Sequence, residues 1–341
     1  MRGVVIDTPG EVRVETLPDP QLPGPDGAIV QVLSAAICGS DLHFYDGDYP
    51  LFAPIPLGHE AVGTVVETGP GVRSVAVGDQ VLVSSVAGCG RCAGCATHDP
   101  VTCIDGPRIF GAGALGGAQS ELLAVPSADF QLLRVPEGVS TEGALLLTDN
   151  LATGWAAARR ADFPPGGTVV VIGLGAVGLC AVRAALILGA ATVFAVDPVE
   201  GRRRRAVRLG ATPLQPPALD AVLDATGGRG AVSVIDAVGS DATMNDALSL
   251  VRAGGTVSVV GVHDLNPFPF PATLCLTRSI TFRGTLAPVQ STWPELVPLL
   301  QSGRLDVDGI FTGSMSLADA PAAYAAVAAR TADCVKVTLT M

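Results

Sequence analysis

A chain of 341 residues is longer than one compact core readily accommodates, so two domains are expected. A formal net charge of −11, 21 basic residues that form no stripe and aromatics at only 4% together argue against nucleic-acid binding. Hydrophobic residues reach 48%, yet no unbroken apolar run is long enough to span a bilayer and residues 1–15 lack an apolar signal stretch, so a cytoplasmic protein without membrane attachment is expected.

Up to about Gly138, short β-rich runs at 28–33, 61–67 and 80–86 are separated by turn clusters at 18–27 and 69–71 and by a tight turn at Val77-Gly78-Asp79. This predicts an irregular, mostly β first domain, 1–150. From Thr141 the texture changes to apolar helices alternating with buried strands. A helix at 141–160 leads into a strand at 169–172, a helix at 176–188 and a strand at 192–196, with further strands at 233–236, 256–260 and 279–283. That alternation predicts a doubly wound parallel-sheet α/β domain over 151–286. Helices at 293–301 and 318–329 and a strand at 334–339 close the chain.

Along this framework the densest chemistry comes first, at Cys38-Gly39-Ser40-Asp41-Leu42-His43 followed by Gly58-His59-Glu60. A lone Cys is usually a small buried hydrophobe and a lone His a satisfied polar group. Here two of only four His fall inside one pattern, which favours an open catalytic zinc site: Cys38 and His59 as ligands, Ser40 and His43 as a proton relay. His98 and His263 read as loop residues. Cys89, Cys92, Cys95 and Cys103 form a CxxCxxC run with a fourth Cys in a Gly-rich loop, 88–105, whose four thiolates would close a tetrahedral structural zinc shell. The remaining Cys180, Cys275 and Cys334 sit in apolar segments and read as core residues, a usage that fits reduced thiols in the cytosol.

Gly173-Leu174-Gly175-Ala176-Val177-Gly178 follows a predicted strand and opens a helix, the context in which GxGxxG reads as a dinucleotide fingerprint with the pyrophosphate at the helix amino terminus. Asp197 ends the next strand, where a carboxylate accepts from the adenosine ribose hydroxyls and repels a 2′-phosphate, favouring NAD over NADP. Arg202, with Arg203, Arg204 and Arg205, stands where a guanidinium neutralises a 2′-phosphate; a solvated helix face is the preferred reading of this run.

In this order the motifs resemble the zinc-dependent medium-chain dehydrogenases, the alcohol and polyol dehydrogenase family, over essentially the whole chain. The resemblance implies a GroES-like catalytic domain, a Rossmann NAD-binding domain, a return of 287–341 to the catalytic domain, and two Zn²⁺ per chain. It places the third catalytic ligand in the stretch from Thr148 to Gly154, at Asp149, where many members carry Cys or Glu and bacterial secondary alcohol dehydrogenases carry Asp; a helix-capping Asp is the plainer alternative. It further implies Asp41 orienting His59, Glu60 close to the metal, and Thr153, Val260, Val262 and Thr285 at the nicotinamide and its ribose. Lys336, the sole lysine, falls where liver-type members hold the cofactor pyrophosphate with an Arg, whereas Gly39 replaces a basic residue that does so in those members.

The activity implied is metal-assisted hydride transfer between a small alcohol or ketone and a nicotinamide, with the proton leaving by way of Ser40 and the cofactor ribose to His43. A pocket lined by Ser85 and the Ile109-Phe110-Gly111-Ala112 loop suits a secondary alcohol; a polyol or butanediol, threonine and an aldehyde are the alternatives. A zinc-binding regulatory protein that has lost the reaction is the rival of another class. The family resemblance implies a homotetramer, with a homodimer as the alternative.

Overall fold

The computed structural model describes residues 1–331 and 333–341, and these divide into two compact units: Met1–Ala152 with Ala287–Met341, and Thr153–Leu286. In the first unit a bent sheet runs in the order Leu132–Arg134, Gln80–Val83, Glu60–Thr68, Ala28–Ala36, Lys336–Thr340, Phe311–Ser316, with Leu122–Val125 also pairing to Ala28–Ala36. All these pairings are antiparallel except that of the last two strands. Residues of Ala28–Ala36 alternate between buried and exposed in mid-strand, as expected of a sheet with one face on the core. A hairpin of Arg2–Thr8 and Glu11–Thr16, which the sequence reading leaves unassigned, joins Ile55–Pro56 in a separate sheet.

Two predicted elements of this unit are interrupted, and both interruptions serve one place. The strand expected at 80–86 stops at Val83 and resumes at Val86–Ala87, leaving Ser84 and Ser85 buried between the two pieces. The helix expected at 141–160 splits into Thr141–Thr148 and Asn150–Arg160 at Asp149, whose backbone (φ −157, ψ −73) is not helical. Ser140 caps the first piece by accepting from the Gly143 N–H at 3.1 Å.

In the second unit six parallel strands are ordered Thr212–Leu214, Thr192–Val196, Thr168–Ile172, Ala231–Asp236, Val251–Val259, Thr281–Gly284. Numbered along the chain this is 3-2-1-4-5-6, the doubly wound order that reverses between the first and fourth strands and opens a crevice at their carboxyl ends. The unbroken apolar run Val169-Val170-Val171-Ile172 follows from burial on both faces. Among the described residues no helix is long and apolar enough to cross a membrane.

Candidate active site and metal centres

Three segments of the first unit converge at Cys38. Cys38 precedes the short helical turn Gly39–Asp41, His59 and Glu60 lie at the start of Glu60–Thr68, and Asp149 sits at the helix break. One ligand atom from each of Cys38, His59, Glu60 and Asp149 lies within 4.8 Å of the others, and all four residues are buried. Asp149 Oδ2 accepts from the Cys38 thiol at 3.5 Å and lies 3.5 Å from His59 Nε2, while Ser85 Oγ donates to Asp149 Oδ1 at 3.3 Å. The helix thus breaks where the Asp149 side chain turns into this cluster.

The surrounding polar groups hold the donors in place. His59 Nδ1 faces Asp41 Oδ1 at 3.2 Å, leaving Nε2 toward the cluster, and Asp41 Oδ2 accepts from the Cys38 N–H at 3.0 Å and from Gln119 Nε2 at 3.2 Å. Gln119 Oε1 in turn accepts from the Tyr324 hydroxyl at 2.8 Å. Asn150 Nδ2 donates to Asp149 Oδ2 at 3.0 Å and to Glu60 Oε1 at 3.2 Å. Gln119, Tyr324 and Asn150 carry no motif, and sequence reasoning passes over them; the only hint is Asn150 following Asp149 before a helix.

Electrostatics favour a cation here. Cys38, Asp149 and Glu60 bring a sulfur and two carboxyl groups together, and the Lys336 ammonium is bonded to Glu60. Burial alone disfavours the His59 imidazolium, but the electrostatic pull of Asp41, and then of Cys38, outweighs it and raises its pKa well above the ordinary value. Glu60 Oε2 is buried with no hydrogen-bond partner among the described residues, an orphan of the kind a bound cation satisfies. Burial pushes the Tyr324 phenol well above its usual range, so it stands as a neutral donor.

Lys336 requires a correction. Its side chain is 1% exposed and its ammonium donates to Glu60 Oε1 at 2.8 Å and to the Ile37 carbonyl at 3.3 Å, so it is a counter-charge inside the cluster rather than a grip on a cofactor pyrophosphate. Burial works against its charge; the Glu60 carboxylate, followed by Cys38, more than compensates and raises its pKa. The strand Lys336–Thr340 runs beside Ala28–Ala36, which carries the side chain inward. Phe110 is also corrected: it is fully buried in the core and does not line a pocket, and buried Ser85 serves Asp149.

Ser40 Oγ lies 3.5 Å from His59 Nε2 at the edge of the site. His43, on Leu42–Asp46, is 21% exposed, pairs through Nδ1 with Asp48 Oδ2 at 2.9 Å and stacks on Tyr49 with ring centroids 5.0 Å apart. Ser40 and His43 are thus both half-buried, one beside the His59 ring and the other beside Asp48.

The second cluster gathers the thiols of Cys89, Cys92, Cys95 and Cys103, again within 4.8 Å of one another. Backbone N–H groups point at its sulfurs: Cys89 N donates to Cys103 Sγ at 3.3 Å and Cys95 N to Cys92 Sγ at 3.4 Å. Hydrogen bonds from the backbone of Cys95 and then Ile104 pull the Cys92 thiol down to about 6, whereas burial pushes Cys95 up to about 12. Four converging sulfurs, two buried and two half-buried, fit a closed tetrahedral metal shell. Of the three isolated cysteines, Cys180 and Cys275 are buried as expected and Cys334 is only half-buried.

In the second unit Gly173 sits at φ +84, and a Cβ on Gly178 would lie 1.7 Å from the Gly173 carbonyl, so both positions require glycine. Gly175 caps the helix Ala176–Ile187, and a Cβ there would meet nothing within 4 Å, leaving the approach to the first helical amides of Ala176 and Val177 open. Asp197 is 3% exposed and accepts from the Leu174 N–H at 2.8 Å and the Val199 N–H at 2.7 Å, so it braces the glycine loop. The arginine run is not uniformly solvated, contrary to expectation. Arg202 Nη1 turns back to 4.0 Å from Asp197 Oδ2, and Arg203 donates to the carbonyls of Asp197 and Pro198, while Arg204 pairs with Glu200 in solvent. Val260 is buried, its N–H donating to the Asp236 carbonyl at 2.9 Å; Val262 is half-buried and Thr153 buried. Thr285 Oγ1 accepts from Arg160 and donates to the Leu286 carbonyl.

With this geometry in place, comparison with known proteins identifies the family. Residues 24–137 match the alcohol dehydrogenase GroES-like domain and residues 176–302 the zinc-binding dehydrogenase domain. A Mycobacterium tuberculosis protein named as a probable zinc-binding alcohol dehydrogenase is 69% identical over 98% of this chain and 87% of its own. The chain belongs to the zinc-dependent medium-chain dehydrogenase family. An alcohol dehydrogenase from Thermus sp. ATN1 superposes with a TM-score of 0.92 at 37% identity, covering 100% of this chain and 99% of that one. A zinc-binding dehydrogenase from Sinorhizobium meliloti 1021 bound to NADP gives 0.85 at 28% identity, with 100% and 99% covered. The protein is an alcohol oxidoreductase of the zinc-dependent class, built from a GroES-like and a Rossmann domain.

Proposed function

We propose that this dehydrogenase interconverts secondary alcohols and ketones with NAD rather than NADP, holding one zinc on Cys38, His59 and Asp149 and a second on Cys89, Cys92, Cys95 and Cys103. The observation that carries the reading is the buried convergence of Cys38, His59 and Asp149, with Glu60 beside them offering an unsatisfied oxygen. When bound, zinc supplies Lewis-acid polarisation of an alcohol oxygen and the nicotinamide supplies the hydride acceptor. A carboxylate in place of a second thiolate donates less charge to the metal, which favours the more electrophilic site that ketone polarisation requires.

The chain's own residues have distinct tasks. Ser40 takes the alcohol proton, and His43, held by Asp48 and partly exposed, delivers it to solvent. Asp41 fixes the His59 ring so that Nε2 faces the donors. Lys336 and Asn150 hold Glu60 through its Oε1. Gly173, Gly175 and Gly178 let a pyrophosphate approach the helix Ala176–Ile187, Asp197 braces that loop beside the ribose, and Thr153, Val260, Val262 and Thr285 receive the nicotinamide half. The chain assembles as a homotetramer, with a homodimer as the alternative, which sedimentation distinguishes.

Metal analysis with a spectrophotometric panel tests the reading. About two zinc per chain and NAD-linked turnover of secondary alcohols are expected. Silence across alcohols, polyols, threonine and aldehydes in a zinc-loaded protein would leave a non-catalytic zinc protein on this fold.

A further inference from the structure

Behind the His59 to Asp41 contact lies a buried chain of side chains with no part in the reaction described so far. Asp41 is 3% exposed, and Gln119 and Tyr324 are fully buried. The amide of Gln119 has one possible orientation. Its Nε2 donates to the Ala36 carbonyl at 3.2 Å and to Asp41 Oδ2 at 3.2 Å, and a backbone carbonyl can only accept. Oε1 must therefore face Tyr324, whose hydroxyl donates to it at 2.8 Å.

Gln119 also grips the segment that leads into His59. The Ala118 N–H donates to the Gly58 carbonyl at 2.8 Å and the Gln119 N–H to the Leu57 carbonyl at 3.1 Å. Gly58 has φ +93, and a Cβ there would lie 2.4 Å from Gln119 Cγ, so the stem of Gln119 rests directly against the residue before the imidazole. With Oδ2 of Asp41 bonded by Gln119 and by the Cys38 N–H, only Oδ1 is left to face His59 Nδ1, at 3.2 Å.

We propose that Gln119 and Tyr324 are positioning residues for the metal-ligating imidazole: Tyr324 fixes Gln119, Gln119 fixes the Asp41 carboxylate, and Asp41 fixes the tautomer and direction of His59. The proposal rests on the zinc reading given above. Loss of Gln119 removes a bond from Asp41, loss of Tyr324 frees the amide that makes that bond, and in both cases His59 loses orientation without losing its place in the fold. Tyr324 stands on the helix Ala320–Ala328 in the segment Ala287–Met341, so the end of the chain helps to set the geometry of a ligand near its beginning.

The test measures zinc affinity of the full chain by chelator competition, with the four-cysteine zinc as internal reference and Co²⁺ substitution as a spectroscopic probe of ligand geometry. Tyr324→Phe keeps the ring and removes one oxygen; Gln119→Met keeps the bulk and removes the amide. Each is expected to weaken the Cys38, His59 and Asp149 zinc about tenfold, the scale of losing a group that orients a metal ligand, and to shift the visible Co²⁺ bands. In an Asp41→Asn background, Tyr324→Phe should add no further loss, because its effect passes through Asp41. The inference is overturned if either variant lowers the melting temperature with zinc affinity and Co²⁺ bands unmoved, or if Tyr324→Phe adds its full effect to Asp41→Asn. A wild-type protein that holds zinc only on its four cysteines overturns the metal reading, and this inference with it.

Discussion

Asp149 gathers more of the candidate site than any other residue: it touches Cys38, His59, Ser85 and Asn150 through two oxygens. Its carboxylate charge, rather than its shape, is what a cation would use. Asp149→Asn is nearly isosteric and is expected to lower metal content from about two to about one per chain and turnover by about a hundredfold or more. Normal zinc content by atomic absorption in that variant would remove Asp149 from the ligand set. Arg202 makes a second residue-scale case. Its guanidinium lies 4.0 Å from Asp197, the carboxylate that the proposed NAD preference relies on to repel a 2′-phosphate. Arg202→Ala should therefore sharpen preference for NAD over NADP by about tenfold, equivalent to roughly 1.4 kcal/mol, in fluorescence titrations of the two cofactors.

Elements show where short-range pattern suffices and where it does not. The glycine loop is contiguous, and its constraint is local: the Gly178 Cα sits against the Gly173 carbonyl. Gly178→Ala should cost about 1–3 kcal/mol through overpacking and weaken NAD binding, checked by thermal unfolding and cofactor titration. The strands at Val169 to Ile172 and Thr192–Val196 and the helix Ala176–Ile187 are legible from apolar runs alone, because burial on both faces leaves no polar interruption. The break at Asp149 is not. No Gly or Pro marks it, and it arises because the carboxylate satisfies groups on Cys38, His59 and Ser85 that lie far away in sequence. The hairpin at Arg2–Thr8 is obscured for another reason: charged residues fill the outward positions of Glu11–Thr16, so its apolar run reads as short.

For the whole molecule, acidity determines how pH acts. Several surface arginines are paired with carboxylates, among them Arg2 with Glu121, Arg13 with Asp7 and Arg134 with Asp79, and neither partner of such a pair changes charge between neutral and mildly alkaline pH. His263 is an exception. Its hydrogen bond to Asp241 raises its pKa, burial opposes this, and Asp264 adds to the rise. A raised value means the folded state binds the proton more tightly, so the stabilisation is complete below the ordinary value of 6.5 and is lost as pH climbs through the folded value. The melting temperature of wild type over His263→Gln should therefore be highest in mild acid and should converge with it on the alkaline side, in thermal unfolding followed across pH.

What the sequence determined by itself is whatever is encoded in contiguous residues: the Gly173 fingerprint, the CxxCxxC cluster, the Gly58-His59-Glu60 triplet and the alternation of apolar strands and helices. These are short-range because a turn, a metal shell or a sheet-buried strand constrains neighbouring residues directly. Only the tertiary structure decided the environment of those groups. It buried Lys336 against Glu60, 276 residues away, and linked Tyr324 to Gln119 across 205. Side chains that far apart are matched by the packing of strands and helices, since a buried charge or amide must find its partner wherever the fold delivers one.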